Sequence, residues 1–448
     1  MSRRATGALA AAACTLLVAV APGAGATTAP PLRPDPVVKW VQSPSLTPGQ
    51  PCKPTTRLLV SSKPGPKKLP GGLTLRIWDT GPVKNPSQLM KAQRIVVVRI
   101  PAGAAAGATI ITSPNLSTAQ TPFTQIQHRG QVIAAVNGAE FDLRTLATPQ
   151  GPQLVNNVIQ KGTTALADTL NFDKYGRASA GRLKLVASGT VSVPVNGESV
   201  PTPLTISSLN TQILGSGVNI FTSAWGDQPH PTGSSELWLT GTVAQVGGTT
   251  TFNGTVASVH TSALGQPVPK PTGGQSTWVL TVQPQNAALL AAYSAGMPVS
   301  ISLGYATTDR LGKPTKDTAS AMGRGGVYVA AGQNRALCTL ANEDIRPRTL
   351  IGWNSKTGDQ FFVTIQGKYT KWGVRWGGAT VHMAADYLLQ LGADNAVALD
   401  GGGSTTMLVR TKVGATPMHI DRANPKDGMR PVVNVIAIVP MPPAPAPK

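Results

Sequence analysis

Asp400 ends a short apolar run and is followed directly by three glycines and three hydroxyl side chains, in the stretch NAVALDGGGSTTMLV, residues 395 to 409. Glycines let the backbone turn sharply and approach a ligand closely, because no Cβ intervenes. Successive N–H groups in such a turn can form a concave nest for an anion. Ser404, Thr405 and Thr406 add hydroxyl donors. A carboxylate beside an anion cradle suits chemistry at a carbon joined to a phosphate. The alternative is a tight strand connection whose glycines only satisfy turn geometry. Two familiar glycine motifs do not fit: there is no G-x-x-x-x-G-K-[ST], and Ser404 is not in G-x-S-x-G.

The elements that would position Asp400 are legible. In TVHMAADYLLQLGAD, residues 380 to 394, Val381, Ala384, Ala385, Leu388 and Leu391 share one helical face, Thr380 is an N-cap and Gly392 a stop. That helix leads into the strand AVAL. A second candidate helix is NAALLAAYSAG, residues 286 to 296. Elsewhere the apolar segments are short and β-branched, as in RIVVVRI, LKLVASGTVSVPV, FFVTIQG and VVNVIAIV, with Gly, Pro, Asn and Thr between them. This is sheet composition. The expected architecture is α+β: a large curved, mostly antiparallel sheet with a few packed helices, forming a single catalytic domain.

The 448 residues carry a formal charge of +20. Arg3 and Arg4, the apolar stretch Ala8 to Ala21 and Ala24-Gly25-Ala26 read as a secretory signal over residues 1–26, so the protein is expected to be secreted. A Pro/Ser/Thr-rich arm (27–74), a domain over 75–440 and a Pro-rich tail (441–448) follow. No stretch reaches the length that spans a bilayer. Cys52 and Cys338 remain after signal removal, either bridged or as two unrelated thiols; a bridge tying the arm to the body is the reading adopted. The five histidines are dispersed without ligand spacing, so no metal and no cofactor are expected. The basic balance favours polyanionic partners, but no nucleic-acid-binding motif is present and no specific nucleic acid is expected.

Several segments together resemble the phosphodiester glycosidase family. ALDGGGSTTML is similar to its glycine signature, AAVNGAEFD (134 to 142) to its N-G-x-F-F-D segment, and RPRTLIGW (346 to 353) to its P-R-T-x-x-G strand. The helix before the glycines and NPKDGMRPVVNVIAIV (424 to 439) match in the same order. The resemblance spans roughly residues 75 to 440. Four positions depart from it: Glu140 stands where an aromatic residue is usual, Ala139 replaces a Gly or Asp, and Gln366 and Lys368 replace the Asp and Arg of a D-G-R, Lys368 keeping the charge without the guanidinium fork.

The resemblance implies hydrolysis of a sugar joined through its anomeric carbon to a phosphodiester, GlcNAc-1-phosphodiester-like, releasing sugar and a phosphomonoester. The leaving phosphate is already a stable anion, so strong acid help is less needed than for an alcohol. Asp400 is the candidate to attack the anomeric carbon or activate water. Arg348 is the candidate phosphate clamp, since a guanidinium offers a planar fork, with Arg430 as the second. Asn137 and Asn434 fall on family motif positions and would orient hydroxyls or the anion. Glu140 is either an acid or base peculiar to this chain or a strand-edge charge. Gly401, Gly402, Gly403, Ser404 and Thr405 would line the anion cradle, and Asp427 would shape the DGMR turn.

Two further readings stand beside this one. A noncatalytic module would use the same basic cleft to bind an anionic cell-envelope polysaccharide. A charge-driven nucleic-acid binder would show steep salt dependence and no preference for sugar phosphates.

Overall fold

The computed structural model describes residues 66–79, 93–142, 147–231, 235–262, 265–270, 272–336, 345–367, 377–420 and 428–445. The signal, both mature cysteines, Lys368 and Asp427 lie outside the described residues, and the readings made for them rest on sequence. All described residues fall within one compact unit, residues 39–448.

The chain forms mostly antiparallel sheets with few helices. The sheet expected as one is divided into three, of eight, five and thirteen strands. The eight-stranded sheet has Arg94–Ile100, Gln360–Gln366, Arg348–Trp353 and Asn395–Ala398 side by side at its centre. Apolar residues cover both faces of these strands, which explains why RIVVVRI reads as an unbroken run. Val96, Val98 and Ile100 point into one core, and Ile95 and Val97 into another.

The first core lies between the eight-stranded and five-stranded sheets. Val96, Ile351, Phe362 and Val397 meet Ile110, Val136, Met407 and Ile436 there. Leu69 and Leu73, from the end of the arm, are buried in the same core. The second core is roofed by the helix Val381–Gln390, whose Ala384, Ala385 and Leu388 are fully buried. Its N-cap is as expected: the Thr380 hydroxyl accepts from the Met383 N–H at 3.1 Å. Gly392 closes it at φ +95, a left-handed conformation that glycine adopts without strain.

In the thirteen-stranded sheet, residues 181–191 pair with Val299–Asp309 and close eleven of the strands into a ring. Leu183, Leu237, Phe252, Leu280 and Ile301 fill its interior. Closure removes the edges that an open sheet of this size would expose.

The second candidate helix does not form as an α-helix. Residues Pro284–Leu289 make a 3-10 turn broken at Asn286, followed by single turns that bury Leu290 and Tyr293. Asn286, at φ −114 and ψ 17, leaves the helical region and interrupts the run of helical residues. Two buried side chains suffice to fix it as turns.

Candidate functional site

Asp400 sits just past the strand Asn395–Ala398, which runs between two neighbours that bring the other site residues. On one side Leu350 pairs with Ala398, and the Leu399 N–H donates to the Thr349 carbonyl at 2.9 Å. Continuing that register by two residues sets Arg348 across from Asp400. On the other side Val327 pairs with Val397, and Tyr328 is the next residue of that neighbouring strand.

The backbone at Asp400 is held from behind by the five-stranded sheet. Its N–H donates to the Gly138 carbonyl at 3.1 Å, and its carbonyl accepts from Asn137 Nδ2 at 2.7 Å. Asn137 Oδ1 accepts from the Thr349 hydroxyl at 2.7 Å and from the Thr406 N–H at 3.1 Å. This fully buried amide therefore stitches three segments together behind the glycine turn. Asn434 does the same one layer further back: its Oδ1 accepts from the Ala139 N–H at 2.8 Å and its Nδ2 donates to Gln153 Oε1 at 2.8 Å.

The glycine turn differs from an open cradle. The Gly402 N–H goes to the Pro347 carbonyl, the Ser404 N–H to the Gly401 carbonyl and the Thr405 N–H to the Gly402 carbonyl. The Gly401 N–H serves the Asp400 carboxylate. Most donors of the turn thus hold the turn itself, which leaves the arginines around it as the groups able to meet an anion. Arg430 packs its guanidinium against Gly403. Ser404 and Thr405 are buried within the turn.

In front of the turn lies a cavity of about 580 Å³. Asp400, Glu140, Arg348, Arg346, Arg335 and Tyr328 all line it, with Gln150 and Gly401. Burial pushes the Asp400 carboxyl up to about 6; the Glu140 charge adds to the rise, while the Ser404 hydroxyl, the Arg430 charge and the Gly401 N–H oppose it. Arg348 is 5% exposed, its Nε donates to the Ala379 carbonyl at 3.1 Å, and it also bonds the Tyr328 hydroxyl. Burial raises the Tyr328 phenol, so it stays protonated at neutral pH and able to donate.

Of the residues singled out in the sequence, Asp400, Arg348, Glu140 and Gly401 share this cavity, and Arg430 acts on Asp400 through the turn. Asn137 and Asn434 lie behind it. Gln366 is buried at the end of its strand with its Nε2 on the Ile420 carbonyl at 3.5 Å, away from the cavity lining. Tyr328, Arg335, Arg346 and Gln150 are additions. Arg346 was visible in RPRTLIGW, two residues from Arg348; Tyr328 sits in RGGVYVAAGQ, where an aromatic in a strand reads as core.

Residues 243–439 match the family described as phosphodiester glycosidase. The match includes Arg348, Asp400, the glycine turn, Arg430 and Asn434; Asn137 and Glu140 lie before it. Among solved structures, a hypothetical protein from Synechocystis is 20% identical with a TM-score of 0.54, over 84% of this chain and 64% of that one. The chain thus spans less than two thirds of that protein. A protein described as exported, from Burkholderia pseudomallei, is 17% identical with a TM-score of 0.54, over 78% and 74% of the two chains. The catalytic domain of zebrafish N-acetylglucosamine-1-phosphodiester alpha-N-acetylglucosaminidase, auto-inhibited by its pro-peptide, is 11% identical with a TM-score of 0.38, over 89% and 96%. No curated protein matches the sequence.

Proposed function

Starting from a chain whose residues 243–439 match the phosphodiester glycosidases, we propose that it is a secreted hydrolase of sugar-1-phosphodiesters, cleaving the anomeric C–O bond. The observation that carries this reading is the pairing, in one cavity, of a half-buried carboxylate with three arginines. The anionic phosphodiester calls for the cations and the anomeric carbon calls for the carboxylate.

Asp400 is the general base. A carboxylate that titrates at about 6 is ionised at neutral pH, yet holds a proton better than an ordinary aspartate does. It takes a proton from water as the water oxygen bonds to the anomeric carbon. The C1–O bond breaks and its electron pair leaves with the phosphate oxygen. Arg348, oriented by Ala379 and Tyr328, receives the developing charge, with Arg346 and Arg335 at the rim. Glu140 contributes negative charge that keeps Asp400 basic. The products are free sugar and a phosphomonoester, and Asp400 returns its proton to solvent.

Methyl GlcNAc-1-phosphate hydrolysed in heavy-oxygen water tests this directly. The expected products are GlcNAc carrying the label and unlabelled methyl phosphate. Label in the phosphate would mean P–O cleavage and a phosphodiesterase. Saturable binding of an anionic envelope glycan with no sugar released would favour the noncatalytic module.

A further inference from the structure

Lys161 is a buried cation that the proposed chemistry does not use. It lies on the strand Val158–Thr163 of the thirteen-stranded sheet and is 6% exposed. Burial alone pushes its ammonium down to about 8, with no carboxylate contributing. An uncompensated ammonium inside a protein is destabilising relative to an apolar side chain of the same shape, so its place calls for a physical account.

Its Nζ donates to the Pro149 carbonyl. Pro149 bridges to Phe141, and the next residue, Gln150, donates its N–H to the Glu140 carbonyl at 2.7 Å. The Thr148 carbonyl accepts from the Asp142 N–H at 3.4 Å. Glu140–Asp142 and Thr148–Gln150 are therefore two paired arms, and Glu140 and Gln150 line the same cavity as Asp400. A connection between two strands of the thirteen-stranded sheet, Ile206–Leu209 and Val218–Phe221, grips these arms at a second point. Gln212 accepts from the Thr148 hydroxyl at 3.1 Å and donates to Asp142 Oδ2 at 3.5 Å. On the other side Asn434 holds the Ala139 N–H.

We propose that Lys161 is a positioning residue for the candidate site: delivered from the thirteen-stranded sheet, it pins the Thr148–Gln150 arm and thereby fixes Glu140 in the cavity shared with Asp400. The proposal rests on the phosphodiester glycosidase reading for its kinetic consequence. Asp400 is acted on by Glu140 and Arg430 and shares its cavity with Arg335, Arg346, Arg348 and Tyr328. Of these, Glu140 is the group whose placement depends on Lys161. When the arm relaxes, Asp400 loses a negative neighbour and its affinity for a proton falls.

Lys161→Met keeps the length of the side chain and removes the charge and the donor. In the full-length protein its unfolding midpoint is expected to hold or rise, while kcat on methyl GlcNAc-1-phosphate falls roughly tenfold or more, as small misplacements in a site do. The acid limb of kcat/KM moves to lower pH, and the Gln150 amide exchanges faster. A merely structural role would lower the midpoint and leave rate per folded molecule, acid limb and Gln150 exchange unchanged; that result overturns the proposal. Gln212→Leu, which cuts the second grip without touching a buried charge, is expected to move the acid limb the same way by less, and wild-type behaviour there counts against the proposal even if Lys161→Met does not fold. If the wild-type protein releases no sugar, the glycosidase reading falls, and Gln150 exchange alone decides whether Lys161 braces the arm.

Discussion

Arg430 rests on Gly403 so closely that a Cβ at Gly403 would lie 2.4 Å from its Nη2 and 2.6 Å from its Cζ. The three glycines thus answer three different needs. Gly401 passes the Pro347 carbonyl, where a Cβ would approach to 2.9 Å. Gly402 turns at φ +60 into open space, and Gly403 seats the guanidinium. Gly403→Ala should push the flexible end of Arg430 aside at a stability cost of about 1 kcal/mol or less. Removing that positive charge from Asp400 should move the acid limb of the rate profile to higher pH, so that kcat/KM falls most on the acid side. Gly402→Ala behaves differently. A Cβ there meets no atom within 4 Å, so it should cost about 1–2 kcal/mol in backbone strain yet keep its rate per folded molecule. Parallel pH-rate profiles and denaturant melts of the two variants separate these effects.

Arg348→Lys should impair turnover far more than folding. A lysine keeps the charge but cannot reach the Ala379 carbonyl, Tyr328 and a phosphate oxygen with one planar fork. The expected loss in kcat is on the order of 100-fold, comparable to removing one preorganised donor from a charge-stabilising site. The unfolding free energy should drop by about 1 kcal/mol for the lost buried bond. Kinetics and melting on the same preparation check it, and retained activity would show that Arg348 is not the phosphate clamp.

Asn137→Ala reverses that pattern. Removing its amide strands the Asp400 carbonyl, the Thr349 hydroxyl and the Thr406 N–H in a fully buried place. The expected destabilisation is roughly 2–4 kcal/mol, since a buried group left without its partner costs about 1–3 kcal/mol. Chemical denaturation measures it. An Asn137→Ala protein as stable as wild type would mean that the amide serves the ligand and not the turn.

The sequence carried the parts of this site that repeat locally and hid those that depend on long-range register. Helix Val381–Gln390 was readable because cap, apolar stripe and terminal glycine agree within one segment. Asp400 stood out because three glycines mark it. Tyr328 became a site residue only through strand pairing on the far side of Asn395–Ala398, which no local pattern encodes. Glu140, read as an acid-base group or a strand-edge charge, is placed on the cavity by the bridge between Phe141 and Pro149. Lys161 did leave a trace: it alternates with Ile159 on the buried face of its strand, a position where a lysine conflicts with the pattern. The division of the strands into three sheets was not legible, because every strand has the same short β-branched composition.

Asp400→Asn joins the catalytic and stability arguments in one variant. The folded protein holds the Asp400 proton up to about 6, whereas an ordinary aspartate releases it near 3.8. Its contribution to stability is therefore full below about 3.8 and lost as pH rises through about 6. At neutral pH the ionised, half-buried side chain should cost up to roughly 3 kcal/mol, at about 1.4 kcal/mol per pH unit. Asparagine keeps the shape without the charge. The variant should be more stable than wild type at pH about 7.5, by up to roughly 3 kcal/mol, and the advantage should vanish by pH about 4. Turnover should fall about 100- to 10,000-fold, the range expected for loss of a general base. Should the carboxylate only close the glycine turn, asparagine would lower stability at neutral pH and leave the rate per folded molecule intact. Melting curves at several pH values, run beside single-turnover kinetics, distinguish a base held in an unfavourable place for its chemistry from a cap.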